Sequence, residues 1–157
     1  MIICEFENGG KGKLRHVSAK ALTVNSRGEV LLIKRAPNLL RGGKYDMPGG
    51  FLDRDENTKG CVLRELFEET GIRGKVQFLL RINDNPQRPK EDRQNVEFIY
   101  VVNAEGEDFK TDKETSEAGW FSENAIPLEE DFAFDHRDSI FKYFQHLKHP
   151  LELPIIG

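Results

Sequence analysis

Cysteine is scarce in this chain of 157 residues. Cys4 and Cys61 are the only two, and they fall in no C-x-x-C or other metal-ligand spacing. That argues against a disulfide framework and fits a reducing, cytoplasmic setting. Long hydrophobic runs are missing as well. No apolar stretch approaches the roughly 20 residues of a membrane-spanning helix. Residues 1–10 lack a basic region followed by an apolar run, so neither membrane insertion nor a secretory leader is expected. There is no surplus of positive charge either: 23 Lys and Arg stand against 27 Asp and Glu, a formal net charge of −4. A mildly acidic chain is not drawn to nucleic acid by its net field. If it handles phosphates, a local device must neutralise them. His16, His136, His146 and His149 form no ligand set by spacing, and surface or capping roles are expected for them.

What is present is a core. Hydrophobic residues make up 38% of the chain and eleven are Phe, so one folded domain over 1–157 is expected, with 1–14 and 150–157 as candidate flexible ends. Residues 16–24 and 29–35 read as strands around the turn chemistry of 25–28. A loop over 37–44 leads to Tyr45-Asp-Met-Pro-Gly-Gly50. The pattern turns helical from about Glu56 to Thr70, with Asp53 and Glu56 spaced as a capping box and Gly71 as the C-terminal cap. Val76, Phe78, Leu80 and Ile82 alternate as a strand, and so do Val96, Phe98, Tyr100 and Val102. Residues 105–117 read as an acidic loop, with Trp120-Phe121 as core beyond it. Phe134, Ile140, Phe141, Phe144 and Leu147 form one face of a final helix that ends before Pro150. The mixture predicts a mixed sheet covered by helices on both faces, an α/β sandwich.

The internal helix carries the chemistry. At about 100° per residue, Glu65, Glu68 and Glu69 share one face, while Leu63, Leu66 and Phe67 cluster on the other. Cys61 falls on the acid side, and Gly60, costly in a helix, suggests close packing. Like charges three and four residues apart repel by roughly 0.2–0.5 kcal/mol per pair. The helix dipole adds about 0.3–1 kcal/mol against acids in the last turns. A hard divalent cation would resolve the conflict, and carboxylate oxygens on a rigid face suit Mg²⁺ or Mn²⁺. A merely solvated acidic edge is the plain alternative for an arbitrary Glu-x-x-Glu-Glu.

The surrounding residues narrow the choice. Gly50, five residues, Glu56, seven residues, then Arg64-Glu65-Leu66-Phe67-Glu68-Glu69-Thr70-Gly71-Ile72 resembles the Nudix box at every fixed position. Met47-Pro48-Gly49 and Trp120-Phe121 also resemble the family, over most of the chain. The resemblance implies a Nudix-type α/β/α sandwich with a mixed β-sheet between helices. It further implies a hydrolase of nucleoside diphosphates linked to another group. Carried over by position, Glu65, Glu68 and Glu69 would ligate Mg²⁺ (Mn²⁺ as the alternative), with the Gly49 carbonyl as a further ligand. Arg64 would orient the carboxylates, and Gly50, Glu56 and Gly71 would be structural. Glu68, Glu114 and Glu117 are candidates for the base that accepts the proton of the attacking water.

The segment Asn83-Asp84-Asn85-Pro86, followed by Arg88-Pro89, resembles ADP-ribose pyrophosphatases, in which proline stiffens a loop near the ligand. ADP-ribose cleaved to AMP and ribose 5-phosphate is therefore the expected reaction, with Arg35, Arg81, Asp84 and Phe51 as substrate contacts. The alternative is a house-cleaning enzyme acting on an oxidised nucleoside triphosphate. An RNA 5′-pyrophosphohydrolase, using a local basic groove over 81–93, and a non-catalytic nucleotide sensor are less favoured. The expected partner is a small nucleotide rather than a membrane or a nucleic acid, for a monomer or a homodimer.

Overall fold

The computed structural model describes residues 2–88 and 94–157; Pro89 and the end of the expected basic groove over 81–93 lie outside the described residues. Alternation in the strands builds the sandwich. In β3 (His16–Val24), Leu22 and Val24 enter one cluster while Ala19 and Ala21 enter the other. β8 (Asn95–Ala104) splits in the same way, Ile99 and Val101 against Tyr100 and Val102. Period-2 side chains thus feed two cores, one on each face of a single sheet.

The remaining strands are β1 (Ile2–Glu5), β2 (Lys11–Leu14), β4 (Val30–Arg35), β5 (Tyr45–Asp46), β6 (Gly49–Phe51), β7 (Gly74–Asn83), β9 (Thr115–Phe121) and β10 (Ile155–Ile156). The sheet runs β10-β7-β8-β3-β4-β5, with β6 also on β3 and β9 on β4. β3 with β8 and β10 with β7 are parallel, and the other pairs are antiparallel, so the sheet is mixed as expected. β1 and β2 form a separate two-stranded hairpin. The C-terminal stretch, expected as a loose end, instead contributes β10, an edge strand beside Arg81 and Ile82.

Two helices cover the faces. α1 (Thr58–Thr70) packs Val62 and Leu66 against Ala19, Ala21 and Tyr100. α2 (His136–Lys148) packs Ile140, Tyr143 and Phe144 against the Leu22 face. α1 starts later than the capping-box reading predicts: Asn57 is the N-cap, its side chain accepting the Gly60 amide at 2.9 Å. Asp53 and Glu56 keep half of the box, a 3.3 Å bond from the Asp53 amide to Glu56. Gly71 ends the helix at φ 72°, as expected of a left-handed cap.

The buried stripe of α1 is rotated from the expected one. Cys61, Val62, Leu66 and Thr70 are buried, whereas Phe67 is 46% exposed under the Arg73 guanidinium. Gly60 makes no close approach, since a Cβ there would meet Glu56 at an ordinary 3.5 Å. β9 takes up the end of the expected acidic loop, so Glu117 sits on a strand. Phe134 precedes α2 rather than joining its face, and Leu147 is exposed.

Candidate active site

The register of β6 on β3 brings the acidic edge of α1 to the sheet. Gly50 lies opposite Ala19 and Gly49 opposite Lys20. Above them Glu65 and Glu69, one helical turn apart, come down beside this strand. A Cβ at Gly50 would lie 2.4 Å from Glu65 Oε1, so only glycine leaves room for that carboxylate. The Gly49 amide donates to Glu69 Oε2 at 2.8 Å. Glu68 stays at the exposed rim, its side chain 54% accessible.

Arg64 ties the edge together. Its guanidinium grips Glu56 with two bonds of 2.9 Å. Its third nitrogen reaches Glu65 Oε1 at 2.8 Å and Glu68 Oε2 at 3.0 Å. This fork geometry is one that only arginine supplies. The Arg64 hydrogen bonds hold the Glu56 carboxyl below its ordinary pKa. Glu56 thus anchors Arg64, and Arg64 spaces the acids.

Burial works against the charge of the two inner acids. It raises the pKa of Glu65, with Arg64 opposing. It pushes Glu69 up to about 8, because loss of solvent outweighs the Lys20 ammonium and the Gly49 amide. The cations beside these carboxylates do not offset the cost of burying them. Hard oxygens that want a cation, beside a glycine cradle, fit a divalent ion. The Gly49 carbonyl, expected as a further ligand, accepts Lys20 Nζ at 3.1 Å, and its second lone pair is left for a cation.

On the α2 side of the sheet, the far flank of Gly49 and Gly50 lines a cavity of about 710 Å³. Ser18, Lys20, Asn95, Glu97 and His136 line its interior, and Leu39, Leu40, Phe51 and Phe134 are among its apolar contacts. Arg35 and Glu114 line it as well. Arg35 is fixed by the Leu40 carbonyl at 2.9 Å and Asp46 at 3.2 Å. Phe51 meets His16 edge-on at 4.7 Å.

Other expected contacts are placed elsewhere. Arg81 is buried under α2, bonded to Asp138 and Ser139 at 2.8 Å and to the Gly157 carbonyl at 2.7 Å. It is a structural anchor there and does not line the cavity, because its donors serve the C-terminal edge. Asp84 is exposed, with its carbonyl accepting from Arg15, and is not among the cavity-lining residues. Glu117 pairs with Lys34 across β9 and β4 at 2.9 Å. Tyr45 packs on Phe121, and Trp120 Nε1 donates to the Glu107 carbonyl, a supporting role in the fold.

A buried charge network went unread in the sequence. His136, expected at the surface, is 1% exposed. Its Nδ1 faces Asp46 at 2.6 Å and its Nε2 faces Glu97 at 2.9 Å. Two carboxylates, one on each nitrogen, raise its pKa to about 9 against the cost of burial. They keep it an imidazolium; Lys20 and that imidazolium hold Asp46 low, and the imidazolium with Arg88 holds Glu97 at about 2, again against burial. Lys20 bonds Asp46 at 3.0 Å, and Arg88 bonds Glu97 at 3.0 Å and Asp135 at 2.8 Å. Glu97, Asp135 and His136 place ligand-type atoms within 4.8 Å of one another. With Arg88 and the imidazolium already between them, that cluster is an ion-pair network rather than a vacant cation cage. The available signal was a charge in each of two apolar strands: Lys20 shares the parity of Leu22, and Glu97 that of Ile99. Such charges are buried only with a partner.

A family model for the NUDIX domain matches residues 14–143. An ADP-ribose pyrophosphatase of Methanocaldococcus jannaschii is 31% identical over 122 residues, which cover 78% of this chain and 69% of that protein. A MutT-like protein of Streptomyces ambofaciens is 31% identical over 113 residues, covering 72% of this chain and 68% of the relative. A crystal structure of a NUDIX hydrolase from Nitrosomonas europaea superposes with a TM-score of 0.77 at 24% identity, over 95% of this chain and 80% of that one.

Proposed function

Because this chain belongs to the Nudix hydrolase family, we propose that it cleaves the diphosphate of ADP-ribose to AMP and ribose 5-phosphate with the help of Mg²⁺. Mn²⁺ is the alternative ion. The observation that carries this reading is the shared wall. Glu65 and Glu69 approach the β6 glycines from one side, and a cavity lies against Gly49 and Gly50 on the other. A diphosphate over that wall would meet the acidic edge while its two organic arms reach cavity and solvent.

Glu65, Glu68 and Glu69 would hold the ion, with the Gly49 carbonyl as a further ligand. When bound, it neutralises diphosphate oxygens and acidifies a water. Arg64 orients Glu65 and Glu68, and the Gly49 amide orients Glu69. The proton of the attacking water goes to a carboxylate; Glu68 at the rim and Glu114 in the cavity wall are the better placed candidates. Glu117, paired with Lys34, is the weaker one. As the water oxygen bonds to phosphorus, the bridging P–O bond breaks and that oxygen leaves on the other phosphate.

Cavity charge favours a neutral organic group over a triphosphate tail. Lys20, His136 and Arg88 each face a carboxylate already. Arg35, which also pairs with Asp46, and Phe51 line the cavity and are the proposed contacts for phosphate and ring. Asn95 Oδ1, buried without a partner among the described residues, can accept from an amine or hydroxyl of the ligand. A cytoplasmic location agrees with two unpaired thiols, Cys4 and Cys61.

The test is AMP release from ADP-ribose, with and without Mg²⁺, for wild type and Glu69→Gln. Wild type should turn over only with the metal. The variant should fold and lose at least about tenfold to a hundredfold in rate. No metal-dependent product from ADP-ribose, but hydrolysis of an oxidised nucleoside triphosphate, would move the substrate assignment to the triphosphate.

A further inference from the structure

A continuous series of hydrogen bonds links the cavity floor to the acidic edge. Ser18 Oγ donates to Glu97 Oε1 at 3.3 Å, and Glu97 Oε2 meets His136 Nε2 at 2.9 Å. His136 Nδ1 meets Asp46 Oδ1 at 2.6 Å, and Lys20 Nζ bonds Asp46 Oδ2 at 3.0 Å. Lys20 also donates to the carbonyls of Met47 at 3.0 Å and Gly49 at 3.1 Å. Gly49 in turn donates its amide to Glu69.

Two features make this more than general packing. Lys20 has three protons, and all three go to the 46–49 segment, so its position is set by that segment and sets it in return. Asp46 is shared: Oδ1 takes His136 and its neighbour's Met47 amide at 2.8 Å, while Oδ2 takes Lys20 and Arg35. His136 stands on the first turn of α2, on the other side of Asp46 from Lys20.

We propose that His136 is a positioning residue: by bridging Asp46 and Glu97 it fixes the Asp46–Lys20 pair, and through Lys20 the pose of the Gly49 peptide against Glu69. This rests on the reading of the glutamate edge as the reactive one. Without the bridge, Asp46 keeps the Met47 amide, Lys20 and Arg35 but loses the partner that fixes Oδ1 from the α2 side, so its carboxylate can shift. Lys20 then follows, and the Gly49 carbonyl loses the fixed donor that sets its pose. Glutamine at 136 offers donors at one end only and cannot serve two carboxylates as an imidazolium does.

The test compares wild type, His136→Gln and Glu97→Gln. The first readout needs no substrate: the Gly49 and Gly50 amide resonances of the metal-free protein. The second is kcat and KM with Mg²⁺, on ADP-ribose or on whichever nucleotide the wild type hydrolyses. In His136→Gln the Gly49 resonance should move, kcat should fall tenfold to a hundredfold, and KM should stay within threefold. A folded variant with Gly49 unmoved, or with kcat unchanged, overturns the proposal. So does a rise in KM alone, which would make His136 a substrate contact. If His136→Gln does not fold, Glu97→Gln is judged by the Gly49 resonance and kcat. If neither folds, hydrogen exchange of the wild-type Gly49 amide decides: core-like slowness supports the clamp, and loop-like exchange overturns it. Wild type inactive on ADP-ribose would sink the substrate reading and leave the Gly49 comparison standing.

Discussion

At the scale of single residues, glycine decides where the acids can go. Gly50 is needed for space rather than for an unusual backbone angle, since the atom it lacks would sit on the Glu65 carboxylate. That obstacle is the far end of a flexible side chain, so alanine there should displace Glu65 without unfolding the strand. Gly50→Ala is therefore expected to keep its melting temperature within a few degrees while losing about tenfold or more in turnover. Thermal melts beside initial rates check this; a variant as active as wild type would show that Glu65 need not lie against β6. Gly49 differs, because a Cβ there would strike the Ala19 carbonyl at 2.2 Å, on a backbone at φ 145°. Substitution at that position should cost the fold itself, and so it would report little about chemistry.

At the scale of elements, α1 shows how far periodicity reaches. Counting around a helix placed Glu65, Glu68 and Glu69 together, and they do share an edge, with Arg64 pairing the first two and the Gly49 amide holding the third. The same count put the buried stripe at Leu63, Leu66 and Phe67, yet the helix buries Cys61, Val62, Leu66 and Thr70. Hydrophobicity alone misjudged the rotation because Arg73 covers the Phe67 ring outside the core. Cys61 takes the inner place, its Sγ 3.4 Å from the Phe51 carbonyl and its pKa pushed up to about 12, chiefly by burial. Gly60 was misjudged in a related way. It stands open to solvent in the first turn, with only ordinary contacts for an added methyl. Gly60→Ala should then stabilise the protein by about 0.5–1 kcal/mol, since alanine loses less freedom in a helix. Urea unfolding would read this as a higher midpoint at an unchanged slope; a lower midpoint would mean that the first turn packs more tightly than its contacts show.

At the scale of the whole molecule, the sandwich was legible and the charge network inside it was not. Strand alternation, turn residues and helix caps act over a few residues, and those local signals gave the layers. Lys20, Asp46, Arg88, Glu97 and His136 come from five separate segments, and nothing local pairs them. Only the parity of Lys20 and Glu97 within apolar strands marked them as charges turned inward. This network sets how stability depends on pH. His136 carries a pKa of about 9 in the fold against an ordinary 6.5. Its contribution is complete below pH 6.5 and is lost as pH rises through about 9. Asp46 and Glu97 have the opposite sense: both are lowered, Glu97 to about 2, so their contribution holds above the usual carboxylate range and is lost as pH falls toward 2. Glu69, raised to about 8, also favours the folded state less as pH climbs from the carboxylate range to 8, with the same sign as His136. Urea unfolding from pH 5 to 10 in the presence of a chelator separates the two. Wild type should lose a few kcal/mol across this range, and His136→Gln should keep the parts that the raised carboxyls Glu65 and Glu69 contribute, the Glu69 part ending near pH 8, together with the part that the raised Cys61 thiol adds above about pH 9. Equal slopes between pH 8 and 10 in the two proteins would mean that the imidazole is uncharged in the fold, and that its two carboxylates are held by Lys20, Arg35 and Arg88 alone.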